Sequence, residues 1–253
     1  SLVRYMKLIY RLNYTKICLT YSKPEIWNNK KQHFSDLYRA INNLCNELMG
    51  SEIIYQTDKK TEVEFFVLHQ SHDLKKVEKR IKFLFKDYST HLFNNIDSNM
   101  INLYKNMFTY YQNITRLVNF VLREINFTDY SEDKKKIIYA FYTSLDKLAN
   151  NLRYISQSIQ EFGCTSKLKD YIDETFGYLE KQFEILDDVS KSSETLRMRY
   201  DILERLRKEK FSKEEFPVLM RLYPFFVAIK DFSDYSLVLK LDKSQINTMS
   251  KKE

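Results

Sequence analysis

Apolar residues recur every three to four positions through most of the chain, which is the period of an amphipathic helix. The longest such pattern covers residues 61–126, where neither Pro nor Gly occurs. Its apolar positions are Phe66, Leu74, Val77, Ile81, Leu84, Phe85, Ile96, Met100, Leu103, Met107, Ile114, Leu117 and Val121. The capping-box pattern of Thr61 and Glu64 predicts where this helix begins. Unbroken, it would be roughly 95 Å long, so the sequence predicts an all-α fold of long antiparallel helices in an elongated bundle or coiled coil.

Two further long helical sections are predicted downstream. Ser131, followed by two acids, has the features of a helix cap, and the section that it opens continues to about residue 208. Gly163 is expected to end or kink that section. A second capping box, Ser212 to Glu215, opens the last helix, which Pro224 is expected to kink.

The first 60 residues are also predicted to be helical. Residues 2–21 form an apolar stretch that is interrupted by the cations Arg4, Lys7, Arg11 and Lys16. Such a helix either lies in a membrane interface or is a core helix with a solvated basic side, and the second interpretation is preferred. A second helix is predicted to begin at Ser22 and to end at Gly50.

The composition agrees with a folded helical protein. Only 3 Gly and 3 Pro occur, which leaves few helix breakers, and 43% hydrophobic residues are enough for a core. The formal charge of +7 suits an anionic partner such as acidic lipid. Three widely spaced cysteines favour a reduced, cytoplasmic protein over a disulfide scaffold. No apolar run is long enough to predict a membrane span.

Enzyme motifs are absent from the sequence. It has no Gly-rich phosphate loop, no GxSxG, no HExxH and no CxxC, and three glycines can hardly build a phosphate cradle. His69 and His72 would share one helix face, as some metal sites require, but no further ligands lie nearby in the sequence. We therefore expect a protein that is not an enzyme and that holds neither a metal ion nor a cofactor.

Three clusters of basic residues are the candidates for a membrane-binding surface. They are Lys75, Lys76, Lys79, Arg80, Lys82 and Lys86 in the first long helix, Lys134, Lys135 and Lys136 at the start of the second section, and Arg205, Arg207, Lys208, Lys210 and Lys213 at its end. Each exposed cation near an anionic bilayer contributes about 1 kcal/mol to binding. For each cluster taken alone, the preferred interpretation is a set of solvated charges that keeps a long helix soluble. No nucleic-acid-binding motif occurs, so no nucleic acid partner is expected.

Three stretches of the sequence are similar to parts of a known family. They are Glu62–Phe66 with Leu74–Ile81, the section from Leu145 to Arg207, and Glu215–Leu219. Together they resemble the BAR domain family, most closely its sorting-nexin and fusion-type branches, over residues 61–245. The resemblance implies an antiparallel homodimer of three-helix coiled coils that senses or stabilises membrane curvature. The third predicted helix is short for this family, and residues 1–57 have no counterpart in its core domain.

The predicted division of the chain combines these signals. Residues 61–245 form a three-helix BAR-like domain, and residues 1–60 form a helical segment that packs on this domain or precedes it. Residues 246–253 are predicted to be a flexible tail.

Two functional hypotheses follow. The first is a non-enzymatic scaffold, cytoplasmic and peripheral to the membrane, that forms a homodimer or pairs with a related helical protein. It would bind anionic, curved phospholipid membranes in trafficking or membrane remodelling. The alternative is a helical protein-interaction scaffold without lipid binding, such as a tethering or assembly subunit or a pathogen surface protein, and the 19 Tyr and 18 Phe favour it. Further protein partners are expected under both hypotheses.

Overall fold

The structure, a computed structural model, describes residues 2–28, 33–66, 74–96, 100–185 and 192–249. In chain order its elements are α1 (Leu2–Arg11), β1 (Lys16–Thr20), β2 (Glu25–Asn28), β3 (His33–Asp36), α2 (Leu37–Asn46), β4 (Ser51–Gln56), β5 (Lys60–Phe65), α3 (Leu74–Asn95), α4 (Met100–Glu124), α5 (Glu132–Phe162), α6 (Ser166–Ile185), α7 (Ser192–Lys208) and α8 (Phe216–Met249). Helices make up 75% of the structure, which confirms the predicted helical character. The elongated, BAR-like arrangement of these helices stays a prediction.

The chain divides into two compact units. The N-terminal unit comprises Ser1–Val77 and Thr115–Tyr130, and the C-terminal unit comprises Glu78–Ile114 and Ser131–Glu253. Helix α4 therefore contributes its first residues to one unit and its last residues to the other. This division differs from the predicted boundary between residues 60 and 61.

The N-terminal unit contains strands where the sequence pattern predicted helices. β5 lies in the centre of an antiparallel sheet with the order β1-β5-β4. Thr61, Val63 and Phe65 are buried and alternate with half-buried Glu62 and Glu64, which is the period of a strand with one covered face. The predicted helix start at Thr61 is therefore wrong. The residues that match a capping box also have the two-residue alternation of a strand, and the strand is the structure that forms.

The helix predicted from Ser22 to Gly50 is correct only in its second half. β2 and β3 form a separate two-stranded antiparallel sheet, and α2 begins after them. The carboxylate of Asp36 caps α2 by accepting a hydrogen bond from the backbone N–H of Tyr38 at 2.9 Å. Pro24 thus directly precedes β2, Glu25 is the first residue of that strand, and neither residue opens a helix.

Helix α1 is a core helix, in agreement with the preferred interpretation of residues 2–21, although it ends at Arg11 and β1 follows. Met6 and Tyr10 are fully buried, and the Tyr10 hydroxyl donates to the carbonyl of Met49 at 2.9 Å. On its basic side, Lys7 pairs with Glu47 at 2.5 Å. Burial raises the pKa of Tyr10 to about 12.

A buried arginine joins α4 to the core of the N-terminal unit. Nη1 of Arg123 donates to the carbonyls of Tyr10 at 3.3 Å and Tyr14 at 3.2 Å. The guanidinium also lies 4.8 Å from the ring centroid of Tyr10 and 5.6 Å from that of Phe65. These contacts connect a helix, the α1 terminus and the central strand through one side chain.

The single helix predicted for residues 61–126 is wrong. After β5 the chain forms two helices, α3 and α4, and α3 ends just before Ile96, which lies in a turn. Both helices keep the predicted apolar period, with Ile81, Leu84, Leu103 and Met107 buried. The period alone does not reveal a break between two helices that share one core.

The C-terminal unit is built around α8, which packs against α5 and α6, while α7 packs against α6. Several local predictions are confirmed here: Ser131 caps α5, α5 ends at Gly163 (φ 84°), and Ser212 and Glu215 form a capping box. The last predicted helix corresponds to α8, which has 34 residues and continues past Pro224.

Replacing Arg123 by Ala should lower the free energy of unfolding by about 3 kcal/mol, since two charge-assisted hydrogen bonds and two ring contacts are lost. Urea denaturation followed by circular dichroism measures this change. Arg116→Ala, at an exposed position of the same helix, is the matched control and should change stability little. Equal stability of the two variants would contradict the structural role of Arg123.

Candidate interaction surface

The first predicted basic cluster lies on α3. Its exposed cations are Lys76, Lys79, Arg80 and Lys86. Lys82 is half-buried and pairs with Glu78 at 3.7 Å, and the side chain of Lys75 lies outside the described residues. Lys79, Arg80 and Lys86 form no ion pair with any residue that the structure describes. This part of α3 therefore presents uncompensated positive charge.

The second cluster opens α5 and is balanced by neighbouring acids. Lys135 pairs with Glu132 at 3.2 Å, and Lys136 pairs with Asp133 at 2.9 Å. The hydrogen bond from Lys136 to Asp133 raises the pKa of that lysine. Both acids stand in the first helical turn, where the helix dipole also favours them. The cluster is thus a mixed-charge helix start.

The third cluster lies at the connection between α7 and α8, where acids are interleaved with the cations. Arg205 pairs with Glu174 of α6, and Lys208 pairs with Glu204 at 2.6 Å. Arg207, Lys210 and Lys213 are exposed and form no ion pair with the described residues. Membrane binding by the three clusters stays a prediction.

The same end of the unit contains a polar clamp on the start of α8. The Thr165 hydroxyl, in the connection between α5 and α6, donates to Oε1 of Glu215 at 2.6 Å. The backbone N–H of Ser212 donates to Oε2 of the same carboxylate at 2.8 Å. These two hydrogen bonds, the one from Thr165 first, lower the pKa of Glu215. The clamp fixes the first turn of α8 relative to the α5–α6 connection.

The outer face of α8 carries a row of large apolar side chains that are open to solvent. Phe216, Met220, Tyr223 and Val227 have exposed fractions of 55%, 54%, 57% and 42%. Their spacing of four, three and four residues places them in one line along the helix. We call these four residues the α8 stripe. Together they expose on the order of 400 Å² of apolar surface, the size of the largest apolar patch on a typical monomer, and such patches are often functional.

The opposite face of α8 is fully packed. Val218, Leu222, Phe225 and Ile229 are buried, and the ring of Phe225 lies 5.9 Å from that of Phe176 in α6. Helix α8 is thus apolar on two sides, and the C-terminal unit covers only one of them. A helix that is hydrophobic all round is ordinarily enclosed on all sides.

The sequence pattern predicts the last helix but does not indicate the α8 stripe. The available signal was the density of apolar residues between 216 and 229, which exceeds what one covered helix face needs. The basic clusters can be recognised from the sequence because runs of Lys and Arg are visible without knowing which side of a helix faces outward.

A smaller apolar surface lies on α1 of the N-terminal unit. Tyr5, Leu8 and Leu12 have exposed fractions of 60%, 46% and 60%, and exposed Arg4 lies beside them. These three residues span about two helical turns, and with three side chains instead of four this surface is less extensive than the α8 stripe.

The structure also bears on metal and membrane sites. Among the side chains that the structure describes, no group of three or more His, Cys, Asp or Glu is placed to hold a metal ion. The pair His69 and His72 lies outside the described residues. Within the described parts of the chain, no helix combines the length and the apolar composition needed to cross a bilayer.

Comparison with protein-family models finds no match for this chain. Comparison with curated protein sequences finds no match either.

Glu215→Gln should lower the free energy of unfolding by about 1–2 kcal/mol at pH 7, because two hydrogen bonds lose their charged acceptor. Since the folded-state pKa of Glu215 is lowered, its contribution is present above the unfolded value of about 4.3 and is lost as pH falls through the folded value. Urea denaturation at several pH values should show the difference from wild type shrinking below pH ~4.

The control for this measurement is Glu161→Gln, at an exposed position near the end of α5. It should leave stability nearly unchanged at every pH. A Glu215→Gln difference that persists undiminished in acid would contradict the role of the carboxylate charge.

Proposed function

We propose that this protein is a non-enzymatic protein-interaction scaffold that binds a helix of another polypeptide on the α8 stripe. The observation that carries the proposal is the second apolar face of α8, with four large side chains each about half exposed. Burying such a face is the main favourable contribution to association between proteins.

The spacing of the α8 stripe supports a helical partner. Four side chains at intervals of four, three and four residues give the seam of a coiled coil, in which each side chain inserts between residues of the facing helix. Phe216 and Tyr223 supply large rings with few rotatable bonds, which are the residue types that dominate binding energy at interfaces.

The way α8 is held also supports this role. The ring of Tyr178 in α6 stacks on Phe226 at 5.2 Å, and Phe232 lies 5.3 Å from Phe141 of α5. The carboxylate of Glu215 fixes the first turn. A stripe on a rigid, packed helix loses little conformational entropy when a partner binds.

The proposal is tested with tagged wild-type protein and two variants as baits in an extract of the cells that naturally make the protein. Tyr223→Glu should lose partners that wild type retains, because it places a charge in the centre of an apolar contact. Tyr235→Glu, at a 37% exposed position of the same helix but outside the stripe, should retain them. Identical sets of captured proteins from all three baits would contradict the proposal.

The membrane-binding scaffold is the second candidate, and one observation favours it. Lys79, Arg80 and Lys86 are exposed without ion pairs to described residues, and Lys79 and Lys86 stand two helical turns apart on one side of α3. Such cations can together attract an anionic bilayer surface. The mixed charges of the other two clusters make them weaker contributors.

Vesicle co-sedimentation tests this candidate with phosphatidylserine-containing and purely zwitterionic vesicles. The double reversal Lys79→Glu/Lys86→Glu should reduce binding to the anionic vesicles by about tenfold or more. The double reversal Arg207→Glu/Lys210→Glu, in the third cluster, should reduce binding less. Lys105→Glu/Lys147→Glu, at exposed positions outside the clusters, is the control of equal charge change. Absence of wild-type binding, or equal losses in all three variants, would exclude specific membrane binding by α3.

A further inference from the structure

The intervals between the residues of the α8 stripe are the same from the N-terminal to the C-terminal end of the helix as in the reverse direction. The intervals of four, three and four residues between Phe216, Met220, Tyr223 and Val227 are symmetric about a point between Met220 and Tyr223. A two-fold axis through that point would place Phe216 opposite Val227 of a second copy and Met220 opposite Tyr223. Each contact then pairs side chains of different size or flexibility, which allows close packing.

The charges at the two ends of the stripe are complementary. Residues 207–214, before α8, contain four cations and two acids. Of these, Arg207, Lys210 and Lys213 form no ion pair with described residues. Residues 230–234, after the stripe, contain one cation and two acids, and Lys230 already pairs with Asp234 at 2.9 Å. An antiparallel pair of α8 helices brings the basic end of one copy to the acidic end of the other, whereas a parallel pair brings like charges together.

We propose that two copies of this chain associate through the α8 stripe, with their α8 helices antiparallel about a two-fold axis. The inference rests on the proposed function and names its partner as a second copy of the same chain. A contact of this kind is isologous, because the same residues contribute from both copies.

The area of the stripe sets the strength of this association. Two stripes of on the order of 400 Å² each give roughly 800 Å² in total, which is below the size of permanent interfaces. The dimer is therefore concentration-dependent, and monomer and dimer exchange in solution.

Sedimentation equilibrium of the purified full chain over a wide concentration range tests the association. Wild type should change from the monomer mass of 30.7 kDa to twice that value as concentration rises. Tyr223→Glu should weaken the self-association by about tenfold or more, and Tyr235→Glu should leave it unchanged. Circular dichroism shows whether each variant is folded. A wild-type chain that stays monomeric, or a dimer that Tyr223→Glu does not weaken, would overturn the inference.

Disulfide cross-linking tests the orientation. Cys18 and Cys164 are first replaced by Ser, while half-buried Cys45, whose thiol pKa is raised by burial, is kept. In this background Phe216→Cys/Val227→Cys should form covalent dimers on oxidation. In the antiparallel pair, the thiol at position 216 of one copy lies opposite the thiol at position 227 of the second copy.

The single variant Phe216→Cys should not form covalent dimers, since the two thiols lie roughly 16 Å apart along the axis in the antiparallel pair. Efficient cross-linking of this single variant would indicate a parallel pair and overturn the proposed orientation.

The two proposals fail in different ways. If wild type is monomeric but Tyr223→Glu baits still lose partners in the native extract, the self-association is wrong and the interaction scaffold stands. If wild type is monomeric and Tyr223→Glu baits keep every partner, both are wrong.

Discussion

A helix with apolar side chains on two sides cannot bury both sides by packing against one layer of neighbouring helices. This constraint determines how α8 packs in the C-terminal unit. The inner face of α8 packs in the core. There the ring centroid of Phe232 lies 5.0 Å from that of Phe183 in α6 and 5.3 Å from that of Phe141 in α5. Once those rings are placed, the rotation of the helix is fixed. The outward direction of Phe216, Met220, Tyr223 and Val227 is therefore a consequence of how the opposite face packs.

Electrostatics has a different role in the same unit. The cations and acids at the α7–α8 connection contact each other, as Lys167 does with Glu209 at 3.0 Å and Lys208 with Glu204 at 2.6 Å. Exposed ion pairs of this kind contribute little to stability, yet they reduce the net positive field that the sequence alone suggests. A count of basic residues thus overstates how strongly this end would attract an anionic surface, whereas the exposed cations of α3 lack such compensation.

The parts of the fold that the sequence predicts correctly are those with local causes. Ser131, Gly163 and the pair Ser212 and Glu215 act on backbone groups within a few residues, so their pattern is sufficient. The strand β5 was missed because Thr61–Glu64 fits both a helix cap and a two-residue alternation, and only pairing with β1 and β4 decides between them. The α8 stripe and the buried guanidinium of Arg123 depend on contacts far apart in sequence, which periodicity does not contain.

The N-terminal unit is formed by two separate segments of the chain, and this has a consequence for its folding during synthesis. Residues 1–77 are synthesised before residues 115–130, and all of residues 78–114 are synthesised in between. The rings of Tyr10 and Phe65 therefore lack their contact with the Arg123 guanidinium until residue 123 has been synthesised, and part of their core stays uncovered until then. The N-terminal unit is therefore complete only when synthesis reaches Tyr130, and a nascent chain that stalls before that residue leaves the apolar core of this unit unfinished.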